Sequence, residues 1–347
     1  MTSALSTRHP KHTEQNFPFH RNNTDAKTDA KTLFENICTA ECVEVKADEK
    51  VKEMILCKDA YKLGDQLIYF YTEHALIQSR IRGKKSPLEQ WLCRNHQKNN
   101  KNLPFPAKNE MAKVRDEIWR NGEPSVFSAF LSKAVFDWFK PETVFDPCAG
   151  WGARAIGALA AKSVKCYVAT DINEKLFETD PPGFGYANLK TELDGTDKLA
   201  FFNCSILDFD SSKRPTVTRA KIPAMYDMIF TSPPFYDYEI YNNKHAFKNG
   251  KYVQHKTEKD EEFKDTNAVY STYEEWQKKF YLPFCEKLHT LIKPGGIVVL
   301  HVGSTWISPK LPEVTRAMME YAGFIYDYEF HFSSSKKVPV LVFRTKK

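Results

Sequence analysis

The chain reads as an α/β protein whose mostly parallel sheet is covered by helices on both faces, with a smaller region ahead of it. Three observations lead there. Short apolar runs (Thr143–Asp146, Cys166–Thr170, Leu199–Asn203, Met228–Phe230, Ile297–Val302) alternate with stretches of helical apolar spacing. Glycine and proline punctuate the joins, at Pro147, Gly150, Gly152, Pro233-Pro234 and Pro294-Gly295-Gly296. The chain has 347 residues, 42% hydrophobic and 27% charged, enough for a large core in one or two domains.

Residues 1–31 are polar and rich in His and Asn, without periodicity, and are expected to form a disordered tail. They hold no apolar signal core, and no apolar run in the chain is long enough to cross a membrane. The expectation is a soluble, intracellular protein of the cytoplasm, nucleoid or nucleus. The eight cysteines are scattered, which fits free thiols in a reducing compartment. Cys38 and Cys42 lie one helical turn apart, but no second Cys/His pair accompanies them, so core packing is expected there and no metal site.

Residues 32–120 form the smaller region. Val51–Tyr61 and Ile68–Ile81 read as strand or helix around a small core. A basic belt follows, beginning Arg80, Arg82, Lys84, Lys85 and continuing through Arg94, Lys98, Lys101, Lys108, Lys113, Arg115 and Arg120. Trp91, His96, Phe105 and Trp119 are interleaved. Cations beside aromatics suit a phosphate backbone and unstacked bases, whereas most charge runs are simply solvated faces. The net charge of +6 permits a nucleic-acid partner without requiring one.

From residue 121 the α/β pattern takes over. Ser125–Phe139 has helical spacing, with Ser125 a candidate N-cap, and Lys140-Pro141 ends it. The strand Thr143–Asp146 leads into the tight turn Pro147–Gly152 and the small-residue helix Ala153–Ala161. Cys166–Thr170 ends at Asp171. Thr179–Asp197, with Pro181-Pro182-Gly183, reads as a looped excursion. Leu199–Asn203 and Met228–Phe230 are the next strands. Residues 237–272 are a long polar insertion, expected to be a lid or disordered, with Lys244–Lys264 a candidate lid. Tyr273–Leu291 is a long amphipathic helix, Pro312–Ala322 a shorter one, and Phe324–Phe332 with Pro339–Arg344 a closing strand pair.

Two motifs carry chemistry. Asp146-Pro147-Cys148-Ala149-Gly150-Trp151-Gly152 follows a strand and opens a helix, and its glycines let backbone approach a ligand. Gly150-x-Gly152-x-x-Ala155 with a later acid also matches a dinucleotide fingerprint. Against that, Asp146 stands where a pyrophosphate-binding turn disfavours a carboxylate. A cofactor without phosphates, carrying a cationic sulfonium and ammonium, suits the acids better, and S-adenosylmethionine is such a cofactor. The second motif is Ser232-Pro233-Pro234-Phe235. Its prolines must end the strand before it. The Ser232 hydroxyl and the Pro233 carbonyl can accept from a planar amine while Phe235 stacks on the ring. The bland alternative is a proline-rich strand end. A cytosine-C5 enzyme needs a nucleophilic Cys in this loop; Cys148 sits at the other turn and is expected to be packed.

Over roughly residues 121–347 the chain resembles the S-adenosylmethionine-dependent amino-methyltransferases of DNA, which act on adenine N6 or cytosine N4. The resemblance implies a Rossmann-like class I methyltransferase sheet. Asp146, Pro147, Ala149, Gly150 and Gly152 resemble the family's methionine-binding loop, and Asp171, with Ile172 beside it, its ribose-binding acid. Ser205 stands where the family often has an Asp contacting the adenine amine, a departure, with Ile206 next to it. The segment with Phe127 resembles the one closing over the methionine end. Ser232, Pro233, Pro234 and Phe235 match the catalytic motif. Tyr236 and Tyr238, with Arg80, Arg82, Lys84 and Lys85, are the candidate nucleic-acid contacts, DNA being the expected partner. The motif order points to one base and the serine-first motif to the other, so the target base stays open. RNA and a catalytically degenerate binding protein are the alternatives.

Overall fold

The computed structural model describes residues 30–41, 45–47, 51–54, 64–94, 106–107, 110–122, 124–179, 183–217, 222–236, 238–241, 245–248, 251–254, 270–332 and 335–346. The tail before residue 30, the belt members Lys98, Lys101 and Lys108, His96, Phe105, and most of the insertion after Gln254 lie outside them.

Before the α/β core come α1 (Ala30–Thr39), β1 (Val45–Ala47), β2 (Val51–Met54), α2 (Asp65–Leu76), β3 (Arg80–Ile81), α3 (Pro87–Cys93) and α4 (Met111–Gly122). The core runs α5 (Ala129–Phe139), β4 (Thr143–Asp146), α6 (Ala153–Ala160), β5 (Cys166–Asp171), α7 (Gly185–Leu193), β6 (Leu199–Asn203) and β7 (Tyr226–Thr231). After β8 (Glu239–Ile240) and the hairpin β9 (His245–Lys248) and β10 (Lys251–Gln254) comes a long helix, α8, built from Tyr273–Trp276, a π-helical turn Gln277–Tyr281, and Leu282–Leu291. The chain ends with β11 (Ile292–His301), α9 (Leu311–Tyr321), β12 (Ile325–Phe332) and β13 (Ser335–Arg344).

The main sheet has the order β1-β2-β12-β13-β11-β7-β4-β5-β6. Strands β11, β7, β4, β5 and β6 run parallel, and β13 is antiparallel to both of its neighbours. This is the Rossmann-like sheet that the sequence predicts. Its strands alternate between two apolar faces. Val144, Tyr167, Ala169, Phe201, Met228, Phe230 and Val299 join one core cluster with α2, α5 and α6. Phe145, Val168, Ala200, Phe202, Ile229, Val298 and Leu300 join the other with α8 and α9. A period of two with both faces apolar is what a covered parallel sheet requires. Gly157 lets α5 and α6 touch, since a Cβ there would stand 2.4 Å from Ser132 Cβ and 2.7 Å from the Lys133 nitrogen.

The region ahead of the core does not stand clear of it. Leu67, Ile68, Tyr71 and Trp91 lie in the same core cluster as α5 and α6, and β2 extends the sheet by pairing with β12.

Some local expectations change. The helix predicted from Ser125 begins at Ala129, capped by Ser128, whose Oγ accepts from the Leu131 nitrogen at 3.4 Å. The Ser125 N–H instead donates to Glu239 Oε1 at 2.8 Å, and residues 124–128 stay outside the helix. The excursion predicted over Thr179–Asp197 contains α7, ended by Asp194, whose carboxylate accepts from the nitrogens of Thr196, Lys198 and Leu199. The Lys293–Gly296 turn is a bulge inside β11, where pairing with β7 jumps from Ile292 to Ile297.

Position follows from topology. The chain leaves β4 toward β5 and β6 on one side and returns to β7 on the other. The carboxyl ends of β4 and β7 therefore flank the point where the winding reverses, the usual ligand crevice of such sheets. Asp146 ends β4 and Thr231 ends β7, so both sequence motifs open onto this crevice.

Candidate active site

The turn after β4 is held by a buried charge network. Asp146 is fully buried, and its carboxylate accepts from Arg154 Nε at 2.7 Å, from the Tyr167 hydroxyl at 2.5 Å and from the Cys148 nitrogen at 3.2 Å. Arg154 also donates to the Cys148 carbonyl, and its guanidinium lies 5.8 Å from the Phe127 ring centroid. The charge of Asp146 is balanced inside the protein, where it locks the turn. Thr170 Oγ1 donates to the Pro147 carbonyl at 2.7 Å, and the Ala149 nitrogen to the Thr170 carbonyl at 2.9 Å. Gly150 and Gly152 adopt φ of +57° and +80°, which other residues rarely tolerate. Burial pushes the Cys148 thiol well up, so it stays protonated and unreactive.

Asp171 ends β5 and closes the turn from the side. Its Oδ2 accepts from the Gly150 nitrogen at 2.7 Å and its Oδ1 from the Asn173 nitrogen at 2.9 Å. Burial raises its pKa to about 6 against the pull of those two bonds. Each oxygen keeps a lone pair for a further donor. Asn203, at the end of β6, donates from Nδ2 to the Asp171 carbonyl at 3.1 Å. Ser205 serves as a cap: its Oγ accepts from the Leu207 nitrogen at 3.2 Å, and Ile206 is buried behind it.

The second motif is organised differently. Ser232 Oγ donates to the His301 carbonyl at 3.0 Å and lies 3.4 Å from His301 Nδ1. With its proton directed at that carbonyl, the oxygen keeps a lone pair for a further donor whichever tautomer His301 adopts. His301 ends β11. Its ring packs edge-on against Phe127 with centroids 4.9 Å apart, and burial lowers its pKa to about 3, so the imidazole is neutral. Phe235 follows the prolines, and a Cβ on Gly303 would lie 3.6 Å from its Cε2. Phe127 thus touches both halves of the crevice, through Arg154 on one side and through Phe230 and His301 on the other.

After Phe235 the chain turns sharply. Tyr236 takes a positive φ of 57° and is buried against Tyr273 and Trp276, at 5.5 and 5.8 Å between centroids. Named beforehand as a nucleic-acid contact, its ring is engaged in core packing. The Tyr238 carbonyl accepts from the Arg82 nitrogen at 3.0 Å, and β8 pairs with β3, Arg80 opposite Ile240 and Ile81 opposite Glu239. Glu239 also accepts from the Tyr241 hydroxyl at 2.8 Å, and the Tyr241 ring packs edge-on against Trp151 of the turn, 5.9 Å between centroids. The strap 238–241 therefore ties the start of the basic belt to both motifs. Arg82, Lys84 and Lys85 are exposed and Arg80 half-buried. Sequence reading missed Arg154, Asn203, His301 and Glu239. Only Arg154 left a trace, as a charge inside an apolar helix.

No family model matches the chain, and no curated protein sequence does. The solved structures it is similar to include three methyltransferases. One is the 1,6-didemethyltoxoflavin-N1-methyltransferase of Burkholderia thailandensis, with bound S-adenosylhomocysteine (16% identity over 71% of this chain and 93% of that one, TM-score 0.35). Another is the N-methyltransferase NodS of Bradyrhizobium japonicum (9% identity, 60% and 87%, TM-score 0.35). The third is a Pyrococcus horikoshii protein assigned as an RNA methyltransferase (14% identity, 63% and 79%, TM-score 0.33). The fold rests on the strand order and the site on its own geometry. Among the described residues no helix is long and apolar enough to cross a membrane, and no cluster of side chains could hold a metal ion.

Proposed function

We propose that the chain transfers a methyl group from S-adenosylmethionine to an exocyclic amino group of a nucleic-acid base, DNA adenine N6 or cytosine N4. On this reading residues 121–347 carry the chemistry and residues 32–120 the recognition. The observation that carries the proposal is the Ser232 hydroxyl, whose proton is directed at the His301 carbonyl so that its oxygen keeps acceptor capacity, at the head of a proline-stiffened loop beside the β4 turn.

The site suits the cofactor. At Gly150, chain neighbours aside, the one atom among the described residues within 4 Å of where a Cβ would stand is the Cys148 carbonyl oxygen, so a ligand can approach the backbone there, and the Asp171 carboxylate retains acceptor capacity for two ribose hydroxyls. Asp146, already balanced by Arg154, acts by fixing the turn; it does not pair with the ligand's ammonium. When bound, the cofactor supplies an electrophilic sulfonium methyl.

The protein's part is positioning. An exocyclic amine delocalises its lone pair into the ring and is a weak nucleophile. Ser232 Oγ and the Pro233 carbonyl accept its two hydrogens, which favours a pyramidal nitrogen with its lone pair turned outward. Pro233 and Pro234 keep those acceptors in place, so little reorganisation accompanies reaction. Phe235 stacks on the ring. A base inside a duplex cannot reach this crevice, so the target is flipped out or single-stranded. Arg80, Arg82, Lys84 and Lys85 hold phosphates near the crevice through the β3–β8 pairing.

The test is incubation with methyl-labelled cofactor and DNA or RNA, followed by nucleoside mass spectrometry. N6-methyladenine or N4-methylcytosine from DNA supports the reading. The same products from RNA alone move the activity to RNA. Cofactor binding with no transfer to either overturns the catalytic assignment and leaves a degenerate binding protein.

A further inference from the structure

Among the described residues four large apolar side chains are exposed: Met225 at 37%, Trp306 at 71%, Tyr321 at 75% and Ile325 at 49%. Three of them lie at the amino edge of the sheet. Met225 precedes β7, Tyr321 ends α9, and Ile325 opens β12, which runs in the same direction as β7. Trp306 alone is at the carboxyl edge, on the turn that follows β11.

That turn is tightly built. The Thr305 and Ser308 hydroxyls bond at 2.8 Å, and Thr305 Oγ1 accepts from the nitrogens of Ile307 and Ser308 at 3.3 and 3.0 Å. The Thr305 nitrogen donates to the Ser308 carbonyl at 3.2 Å, and Ser308 is fully buried. Ile307 packs against the core while Trp306 stands out from the tip. On a turn fixed in this way Trp306 keeps a large aromatic face open to solvent, and it is where the turn stands that gives the face a use.

Its location selects the partner. The turn begins where His301 receives the Ser232 hydroxyl and Gly303 adjoins Phe235. Trp306 is three residues beyond Gly303, so their Cα atoms are at most about 11 Å apart. Lys310, exposed at the start of α9 four residues on, adds a cation to the same connection. A base held on Phe235 would have its neighbours along the strand within this reach. Resting on the base-methylation reading, we infer that Trp306 is the stacking platform for a nucleotide flanking the target base on the same strand.

The experiment compares wild type with Trp306→Ala and Trp306→Phe. It measures binding of a fluorescent single-stranded oligonucleotide, DNA and RNA in parallel, and of the corresponding mononucleoside. Trp306→Ala should weaken oligonucleotide binding roughly tenfold or more, raising KM with little change in kcat. Trp306→Phe should restore most of it. Mononucleoside and cofactor affinities should not move, because neither has a flanking base. Equal oligonucleotide affinity in Trp306→Ala overturns the inference. So does an equal loss for the mononucleoside, which would put Trp306 on the target itself, and so does a change from dimer to monomer on sedimentation, which would make it a self-contact. A wild type that binds no oligonucleotide removes this inference and the nucleic-acid reading together. Trp306-dependent binding without methyl transfer leaves the platform standing and removes only the catalytic reading.

Discussion

The two halves of the crevice reach rigidity by different means. The turn after β4 is held by a buried ion pair with a tyrosine hydroxyl added, Asp146 with Arg154 and Tyr167, all within one face of the fold. The motif after β7, Ser232–Phe235, has no charge of its own: two prolines stiffen it, one hydroxyl ties it to β11, and the strap beyond it is pinned by pairing with β3 from the region ahead of the core. An electrostatic lock fails all at once when one partner is removed, because the other is left charged and buried. A loop held by covalent stiffness and scattered single bonds loses function piece by piece while the fold survives. Stability should therefore depend on the first half, and turnover on the second.

The largest effect should come from breaking the lock. Asp146→Ala leaves Arg154 buried without its counter-charge and should cost about 3–5 kcal/mol of stability, read as a lower denaturant midpoint. A variant as stable as wild type would end the contrast between the halves.

Ser232→Ala is the counterpart on the other side. It should leave the denaturation midpoint nearly unchanged and slow single-turnover methylation roughly a hundredfold, as for loss of one preorganised group in a reacting site. Cofactor affinity should hold. Wild-type turnover in both Ser232→Ala and Phe235→Ala would reduce the motif to a strand end.

Asp171 sharpens the comparison through pH. Its carboxyl titrates near pH 6, above the ordinary carboxylate range, because burial disfavours the charge. The folded protein therefore takes up a proton as pH falls through 6, and the carboxylate that would accept ribose hydroxyls is neutralised. S-adenosylmethionine affinity should drop across that interval, measured by calorimetry. The linkage for folding has the opposite sign: native-state proton uptake at Asp171 favours the fold as pH falls from 7 toward 5. Asp171→Ala should weaken the cofactor by roughly 1–3 kcal/mol and abolish this pH dependence. An affinity that is flat in wild type would remove Asp171 from the ribose.

The smallest expected effect is on the belt. Joint neutralisation of Arg80, Arg82, Lys84 and Lys85 should flatten the salt dependence of nucleic-acid binding and leave cofactor affinity and stability intact. An unchanged slope would identify the belt as a solvated face and the β3–β8 pairing as structural only.

The alternation of strands and helices, the helix-covered faces of the sheet and the location of both motifs at strand ends are legible in the chain. These are local properties: a period of two, a proline that cannot donate, a glycine that can take positive φ, each legible within a few residues. Tertiary structure alone decided what the motif residues do. Ser232 meets His301 across 69 positions of chain, and the Ser125 N–H meets Glu239 across 114. No pattern of composition or spacing encodes such pairs; they exist because the sheet order sets β11 beside β7 and the strap beside residues 124–128. The same cause turned Tyr236 into the core, moved the start of α5 to Ala129 and paired Asp146 with Arg154. A carboxylate at a strand end is readable as an acid, but only the buried guanidinium next to it decides whether its charge remains available.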